Sequence, residues 1–350
     1  MDFERNYQIK TLSKQLNIKN FSGLSVNSLT NIKAQAILPK LDQKCTYSSK
    51  VLHNKPSNVS NSIHPWFITG FTDAEGCFMI SILKSSTYRT GWEVQLSFQI
   101  KLHKRDLTLL ENIQASLGGI GNISTGKDFC AFRIKSLNQI FSLINFFDQY
   151  PLITQKKIDY NLFKQVALIM QQKQHLTPEG LLEIVKLKAS LNLGLTDTLK
   201  LAFPEIRVET PRPLVTDQKI PHSQWIAGFT SGEGYFQVTF SENRYKGLAF
   251  KINQHSRDEQ LMRSLIEYWG CGYYYSSEVR GDFKVTRFSL ITEIIIPFFK
   301  ENPILGVKAL DFQDWCRVAE KVEAGAHKTS EGMVEIRNIK ERMNTGRKFT

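Results

Sequence analysis

"WFITGFTDAEGCF" (residues 66–78) and "QWIAGFTSGEGYF" (224–236) are one segment written twice, and the reading of the fold starts from them. Each begins with helical spacing and passes through a Glu-Gly pair into an alternating strand pattern. Gly70 recurs as Gly228 and Glu75 as Glu233, both 158 positions on; Gln99 then answers to Lys251, Pro151 to Pro303 and Asp159 to Asp311, each 152 on. Histidines follow the same register: His64 with His222, His103 with His255, His175 with His327. "HLTPEG" (175–180) returns as "HKTSEG" (327–332). The period is too long for a solenoid unit and marks a duplicated domain whose copies are related by a pseudo-twofold axis.

Within each copy a short helix (about 65–75 in the first) runs into a strand. In "WEVQLSFQIKL" (92–102) Val94, Leu96, Phe98, Ile100 and Leu102 alternate with Glu93, Gln95, Ser97, Gln99 and Lys101, the signature of a sheet with one buried and one wet face. A helix, a hairpin and closing helices follow, so the fold class is α+β: two αββαββα repeats, each carrying an antiparallel sheet. Residues 61–175 form the first repeat and 220–350 the second. The segment 176–219 connects them and holds one helix, "PEGLLEIVKLKASL", before a proline-bearing linker.

Residues 1–60 read differently, being rich in Asn, Ser and Lys, with Asp42 the single acid between residues 5 and 60. That composition predicts a disordered basic extension. A mitochondrial targeting segment, a translated upstream remnant and a loose DNA-binding arm are the alternatives for it. The whole chain of 350 residues has a formal charge of +12, which favours a polyanionic partner, nucleic acid before a membrane surface. The apolar run "IIIPFF" (294–299) is too short to span a bilayer. Five cysteines without a C-x-x-C pair argue against both a disulfide framework and a structural zinc.

The short helix carries the chemistry. Gly70 and Ala74, like Gly228 and Gly232, are four apart and share a helix face, leaving a stripe with almost no side chain through which the two copies can pack. Glu75 and Glu233 each end their helix before a glycine suited to a left-handed C′ position. A carboxylate at the negative end of the helix dipole is disfavoured by roughly 0.3 to 1 kcal/mol, and pairing the helices adds repulsion between the two acids. A divalent cation would reverse each of these penalties, with backbone carbonyls as further hard ligands. Asp73 has Ser231 as its counterpart and is read as structural.

"ITGFTDAEG" (68–76) and "IAGFTSGEG" (226–234) resemble the two signature segments of a single-chain LAGLIDADG homing endonuclease, most similar to fungal mitochondrial intron-encoded enzymes. The resemblance spans about residues 61–346. It implies a saddle of two antiparallel sheets over the major groove of double-stranded DNA, with the signature helices at the repeat interface. It also implies Mg²⁺ at Glu75 and Glu233 assisted by the carbonyls of Ala74 and Gly232, Mn²⁺ supporting cleavage too, and Ca²⁺ supporting binding without turnover. Gln99 and Lys251 match the positions that organise water for in-line attack on each scissile phosphate. The implied product is a double-strand break with 3′ overhangs, made by a monomer in the mitochondrion and promoting mobility of the host intron.

Strand alternation from Glu75 places Cys77, Met79, Ser81, Leu83 and Ser85 on the DNA-reading face, joined by Gln95, Ser97, Gln99 and Lys101. In the second copy it places Tyr235, Gln237, Thr239 and Ser241, with Lys251, Asn253 and Gln254 near them. The later hairpins add Arg133, Lys135, Tyr273, Tyr275, Lys284 and Thr286. Gln, Asn, Arg and Lys are the side chains that read purine edges. His103, Arg105 and Asp106, mirrored by His255, Arg257 and Asp258, precede a helix and are read as caps and packing residues. Lys156 and Lys308 are candidate phosphate contacts. Two other functions share this fold: a splicing cofactor bound to host intron RNA, and a DNA-binding protein that has lost catalysis.

Overall fold

The computed structural model describes residues 62–206, 213–242 and 244–347. The extension read over residues 1–60 lies outside them. Helix α1 (Pro65–Glu75) continues without a turn into β1 (Gly76–Lys84), which pairs with β2 (Trp92–His103). Next come α2 (Leu107–Ser116), the hairpin β3 (Asn122–Thr125) and β4 (Phe129–Ile134), then α3 (Leu137–Gln149), α4 (Lys156–Gln171), α5 (Pro178–Ala189) and the short α6 (Asp197–Ala202). The second copy repeats the order with α7 (Ser223–Glu233), β5 (Gly234–Ser241), β6 (Arg244–His255), α8 (Glu259–Trp269), β7 (Tyr273–Ser276) and β8 (Arg280–Val285). It closes with α9 in three pieces (Phe288–Leu290, Ile291–Ile295, Ile296–Glu301), α10 (Lys308–Glu323) and α11 (Ser330–Glu341).

Each sheet is antiparallel with its strands in the order first, second, fourth, third, so β1 and β5 are edge strands. One face is filled by Phe78, Ile80, Phe98 and Phe132 in the first copy and by Phe236, Val238, Phe250 and Phe283 in the second, all buried beneath helices. Helix α5 also packs into the first core through Leu181, Ile184 and Val185, and α11 mirrors it in the second through Ile336 and Ile339. The helix assigned from sequence to the connecting segment is therefore part of the first repeat's packed body.

At the end of each such helix pair an asparagine clasps the edge strand. Asn192 (φ 51°) donates from Nδ2 to the Phe78 carbonyl at 2.8 Å, and Asn344 (φ 54°) donates to Phe236 at 3.1 Å. Asparagine tolerates the left-handed region, and its amide supplies a donor that the sheet edge lacks.

The copies also hold each other through the acids of the His-x-Arg-Asp segments. Asp106 accepts from the Val307 amide of the second copy at 2.7 Å, and Asp258 accepts from the Gln155 amide of the first at 2.9 Å. His103 and His255 cap locally, each Nδ1 accepting from the amide two residues on. Capping and packing were legible; that the aspartates reach across the pseudo-twofold was not.

Signature helices α1 and α7 begin at a stacked pair of imidazoles. His64 and His222 lie 4.6 Å apart between ring centroids, and each Nδ1 accepts from the amide of its helix's second residue, Trp66 and Gln224. Burial first, and then the neighbouring ring, hold the His64 pKa below its ordinary value. The folded state therefore resists proton uptake: its stability is complete above the ordinary value of 6.5 and is lost as pH falls from there through the depressed folded value. Thermal melts of the wild type from pH 8 to 5 should drop more steeply than those of His64→Asn/His222→Asn, because asparagine keeps the cap but takes no proton. Parallel pH profiles would refute this account.

Candidate active site

Residues Phe67 to Ala74 of α1 are buried without a break, as are Trp225 to Ser231 of α7, so neither helix has a wet face. They pack on each other through their glycines. A Cβ on Gly70 would lie 2.0 Å from the Trp225 carbonyl oxygen, and one on Gly228 would lie 2.0 Å from that of Phe67. With the histidines together at one end and the acids at the other, the helices run parallel, side by side. Glycine inside a helix costs about 1 kcal/mol relative to alanine, and the close backbone packing offsets it.

Gly76 and Gly234 depart from expectation. Their φ, ψ values of −69°, 151° and −67°, 149° are extended, not left-handed, because each helix passes straight into its strand. Glycine is required there for space: a Cβ would sit 2.6 Å from Thr72 Cγ2 or 2.3 Å from Thr230 Cγ2.

Just before these glycines the C-terminal ends of the two helices meet, each ending in its glutamate. Gly232 stands so close to the other copy that a Cβ on it would meet Ala74 Cβ at 2.4 Å and Glu75 Cγ at 3.1 Å. Only one of each mirrored pair at this level can carry a methyl group, which explains Ala74 opposite Gly232. The negative helix ends are met by lysines at the start of α4 and α10. Lys156 Nζ donates to the carbonyls of Thr72 (2.9 Å) and Ala74 (3.3 Å); Lys308 Nζ donates to those of Gly232 (2.6 Å) and Gly234 (2.7 Å). The carbonyls expected to assist a metal thus already hold ammonium groups, those of the lysines read as candidate phosphate contacts. An ammonium at a helix C-terminus offsets the dipole penalty that made Glu75 and Glu233 anomalous in sequence.

Asp73 is structural, as read. Its carboxyl accepts from the Ile153 and Thr154 amides (3.1 and 3.2 Å), Thr154 Oγ1 (2.5 Å) and Trp225 Nε1 (2.9 Å). Burial raises its pKa to about 6 against the lowering effect of these bonds and of Lys156. Ser231 does smaller work at the mirrored place, accepting from the Leu305 amide at 3.1 Å.

Gln99 faces Cys77 across the ladder and Lys251 faces Tyr235, each opposite the residue two beyond a glutamate. Gln99 lies on the polar face yet is only 3% exposed, because Arg133 covers it. Burial, followed by the Lys284 charge, lowers the pKa of Lys251. Of the remaining face, Ser81, Leu83, Gln95, Tyr235, Ser241, Tyr273 and Tyr275 are exposed, while Cys77, Met79, Ser97, Gln237 and Thr239 are half-buried. The bulge opposite Thr239 and Phe240 lies in β6, so alternation along β5 survives to Ser241. Ser85, Lys135 and Thr286 fall just beyond β1, β4 and β8. Lys101 lies over the Phe129 ring at 4.4 Å.

Sequence reading passed over Asp282, which accepts from Asn253 Nδ2 and, at 2.7 Å, from Arg280 Nε, fixing how both side chains are presented. Charge is segregated in this copy. Arg244, Lys246, Lys251, Arg280 and Lys284 stand on the strands against Asp282 alone, whereas helices α8 to α11 carry seven bases and eleven acids, which directs a polyanion to the sheet. Among the described residues no cluster of three or more His, Cys, Asp or Glu could hold a metal, and no helix is long and apolar enough to cross a membrane.

The family model described as "LAGLIDADG endonuclease" matches residues 68–167 and 226–319, one match per copy. The chain belongs to the LAGLIDADG endonuclease family. Two Neurospora crassa relatives, probable intron-encoded endonucleases 3 and 2, are 38% and 40% identical over 80% and 86% of this chain, which covers 54% of the former and 70% of the latter. Among solved structures, the I-SmaMI LAGLIDADG homing endonuclease bound to cleaved DNA is 44% identical, with a TM-score of 0.78 over 82% of this chain and 99% of its own. I-GzeII in complex with its DNA target is 43% identical, with a TM-score of 0.78 over 82% and 100%. I-SmaMI has also been seen on uncleaved DNA in the presence of calcium ions. The LAGLIDADG saddle, α+β with two four-stranded antiparallel sheets, is thus the fold of this chain.

Proposed function

We propose that this chain is a site-specific homing endonuclease that cuts both strands of a long, asymmetric DNA target, leaves 3′ overhangs and acts as a monomer in the mitochondrion to promote mobility of its host intron. The observation that carries the proposal is that two helices packed through Gly70 and Gly228 end in Glu75 and Glu233, with the Glu75 side chain lying against Gly232, the residue before Glu233. Two carboxylates beside an open basic sheet fit Mg²⁺, which takes one or two protein carboxylates and completes its shell with water and phosphate oxygens. Glu75 and Glu233 would hold the ion, with Ala74 and Gly232 contributing carbonyl lone pairs that Lys156 and Lys308 leave open. Bound there, Mg²⁺ or Mn²⁺ would supply Lewis-acid polarisation of the phosphate and a lowered pKa for water.

The chain's own groups do the rest. Lys156 and Lys308 neutralise the helix ends, which lets two acids stand near each other before DNA arrives. Gln99 and Lys251 offer N–H donors at mirrored places, one for each scissile phosphate. Exposed Ser81, Gln95, Tyr273 and Tyr275, with Arg280 and Asn253 set by Asp282, supply base-edge and backbone contacts. The alternative partner, intron RNA, gains no support from the net acidic helical back of the second copy.

The test is cleavage of a randomised duplex library by the full chain, with sequencing of the ends. Mg²⁺-dependent double-strand ends with 3′ overhangs at one long motif are expected, with binding but no cutting in Ca²⁺. Breaks that persist in chelator would overturn the reading. Lys308→Met should slow cleavage on the order of 10²-fold, since it removes a preorganised charge; an unchanged rate would exclude Lys308 from the site.

A further inference from the structure

The mirrored donors Gln99 and Lys251 are supported in opposite ways by the strand beside them. Arg133 is the ladder partner of Gln99, and its Nε and Nη2 both donate to Gln99 Oε1, at 3.0 and 2.7 Å. A guanidinium has no acceptor, so this bond decides which end of the amide is which: the oxygen is spent on Arg133, and the NH₂ is the end left for the site. Gln99 is therefore fixed as a donor before DNA binds, in a place only 3% exposed. In the second copy the ladder partner of Lys251 is Lys284. Two ammonium groups cannot hydrogen-bond each other, so the strand partner gives Lys251 no bond of this kind, and Asp282 is the acid whose charge reaches it.

We propose that Arg133 is a positioning residue that holds Gln99 as an N–H donor, and that it governs cleavage of one DNA strand without governing the other. This rests on the endonuclease reading above. It replaces a different role for Arg133, direct reading of a purine, for which the Nε and Nη2 edge is already occupied.

The experiment is single-turnover cleavage by the full chain of a duplex labelled separately on each strand, in Mg²⁺, with affinity measured in Ca²⁺. Arg133→Met should slow one strand on the order of 10-fold to 10²-fold, the usual result of letting a catalytic group lose its orientation, and leave the other within about twofold. Ca²⁺-supported affinity should fall by no more than the few-fold that loss of one positive charge near phosphate brings, with base preference unchanged, and Arg133→Lys, which keeps the charge and a donor, should recover part of the lost rate. On a Gln99→Leu background Arg133→Met should add nothing, since both remove the same donor. Slowing of both strands alike, effects that multiply in the double variant, or weaker binding with relaxed base preference would overturn the proposal in favour of a base or backbone contact. A wild type that cuts neither strand overturns the endonuclease reading and this inference with it. Should Arg133→Met fail to fold, Arg133→Lys carries the same strand-resolved comparison.

Discussion

Gly228→Ala should unfold or disassemble the repeat interface, at a cost above about 3 kcal/mol, the upper end of the usual overpacking range. The added Cβ would stand 2.0 Å from the Phe67 carbonyl oxygen and 2.9 Å from the Phe71 amide nitrogen, both backbone atoms that no rotamer change can move. Gly70→Ala meets the mirrored obstacle at Trp225 and Phe229. Relief requires α1 and α7 to separate, which opens the buried face between Ala227, packed in the first core, and Ala74, packed in the second. Denaturant unfolding of wild type and each variant measures the effect. At a solvated helix position the same change would stabilise by up to about 1 kcal/mol, so a stability gain would show that the helices do not pack as described. Gly232→Ala is the informative third case, because its Cβ would press on Ala74 and the Glu75 side chain, so activity should fall further than stability.

Glu75→Gln and Glu233→Gln are each expected to reduce double-strand cleavage on the order of 10³-fold or more, the scale on which loss of preorganised charge stabilisation acts. Glutamine keeps the shape and removes the negative charge. In the endonuclease reading it loses the ion. The variant proteins should nonetheless fold, because the acids stand at the negative ends of their helices, where removing a negative charge relieves repulsion. They should bind target DNA at least as tightly in chelator, since one fewer negative charge opposes the phosphates. Gel-shift affinity together with strand-resolved cleavage checks both halves. Wild-type cutting by either variant would remove that glutamate from the site.

Glu75 and Glu233 were conspicuous in sequence because each looked misplaced, and the same misplacement twice in register is informative. Lys156 and Lys308 illustrate the complement. They stand 81 and 75 positions after their glutamates, so no local rule connects them, and only the packing of α4 and α10 brings their ammonium groups to the helix ends. Arg133 was visible as a basic residue on the polar face of a strand, but its pairing with Gln99 depends on the register of β2 with β4. Asp282 was missed for a related reason: a lone acid in a basic hairpin reads as a solvated charge until Arg280 and Asn253 are seen to donate to it.

The closing helices make the same point about length. The second copy carries one more residue than the first between its last strand and the matching proline (Val285 to Pro303 against Ile134 to Pro151), and the extra residue is absorbed by the π turn at Ile291–Ile295. Periodicity shows a helix there and is silent on how the insertion is taken up.

Sequence by itself determined the duplication, the α+β class and the inward and outward faces of the strands, and it singled out the two acids as candidates, because each is written in local chemistry or in a repeat that can be aligned with itself. The tertiary structure decided what requires two distant segments to meet: the glycine contact between α1 and α7, the space-filling role of Gly76 and Gly234, the reciprocal hold of Asp106 and Asp258, and the lysines beneath the acids. Hydrogen bonds and close contacts act over a few ångströms of space, and separation along the chain does not reveal which groups will share that space.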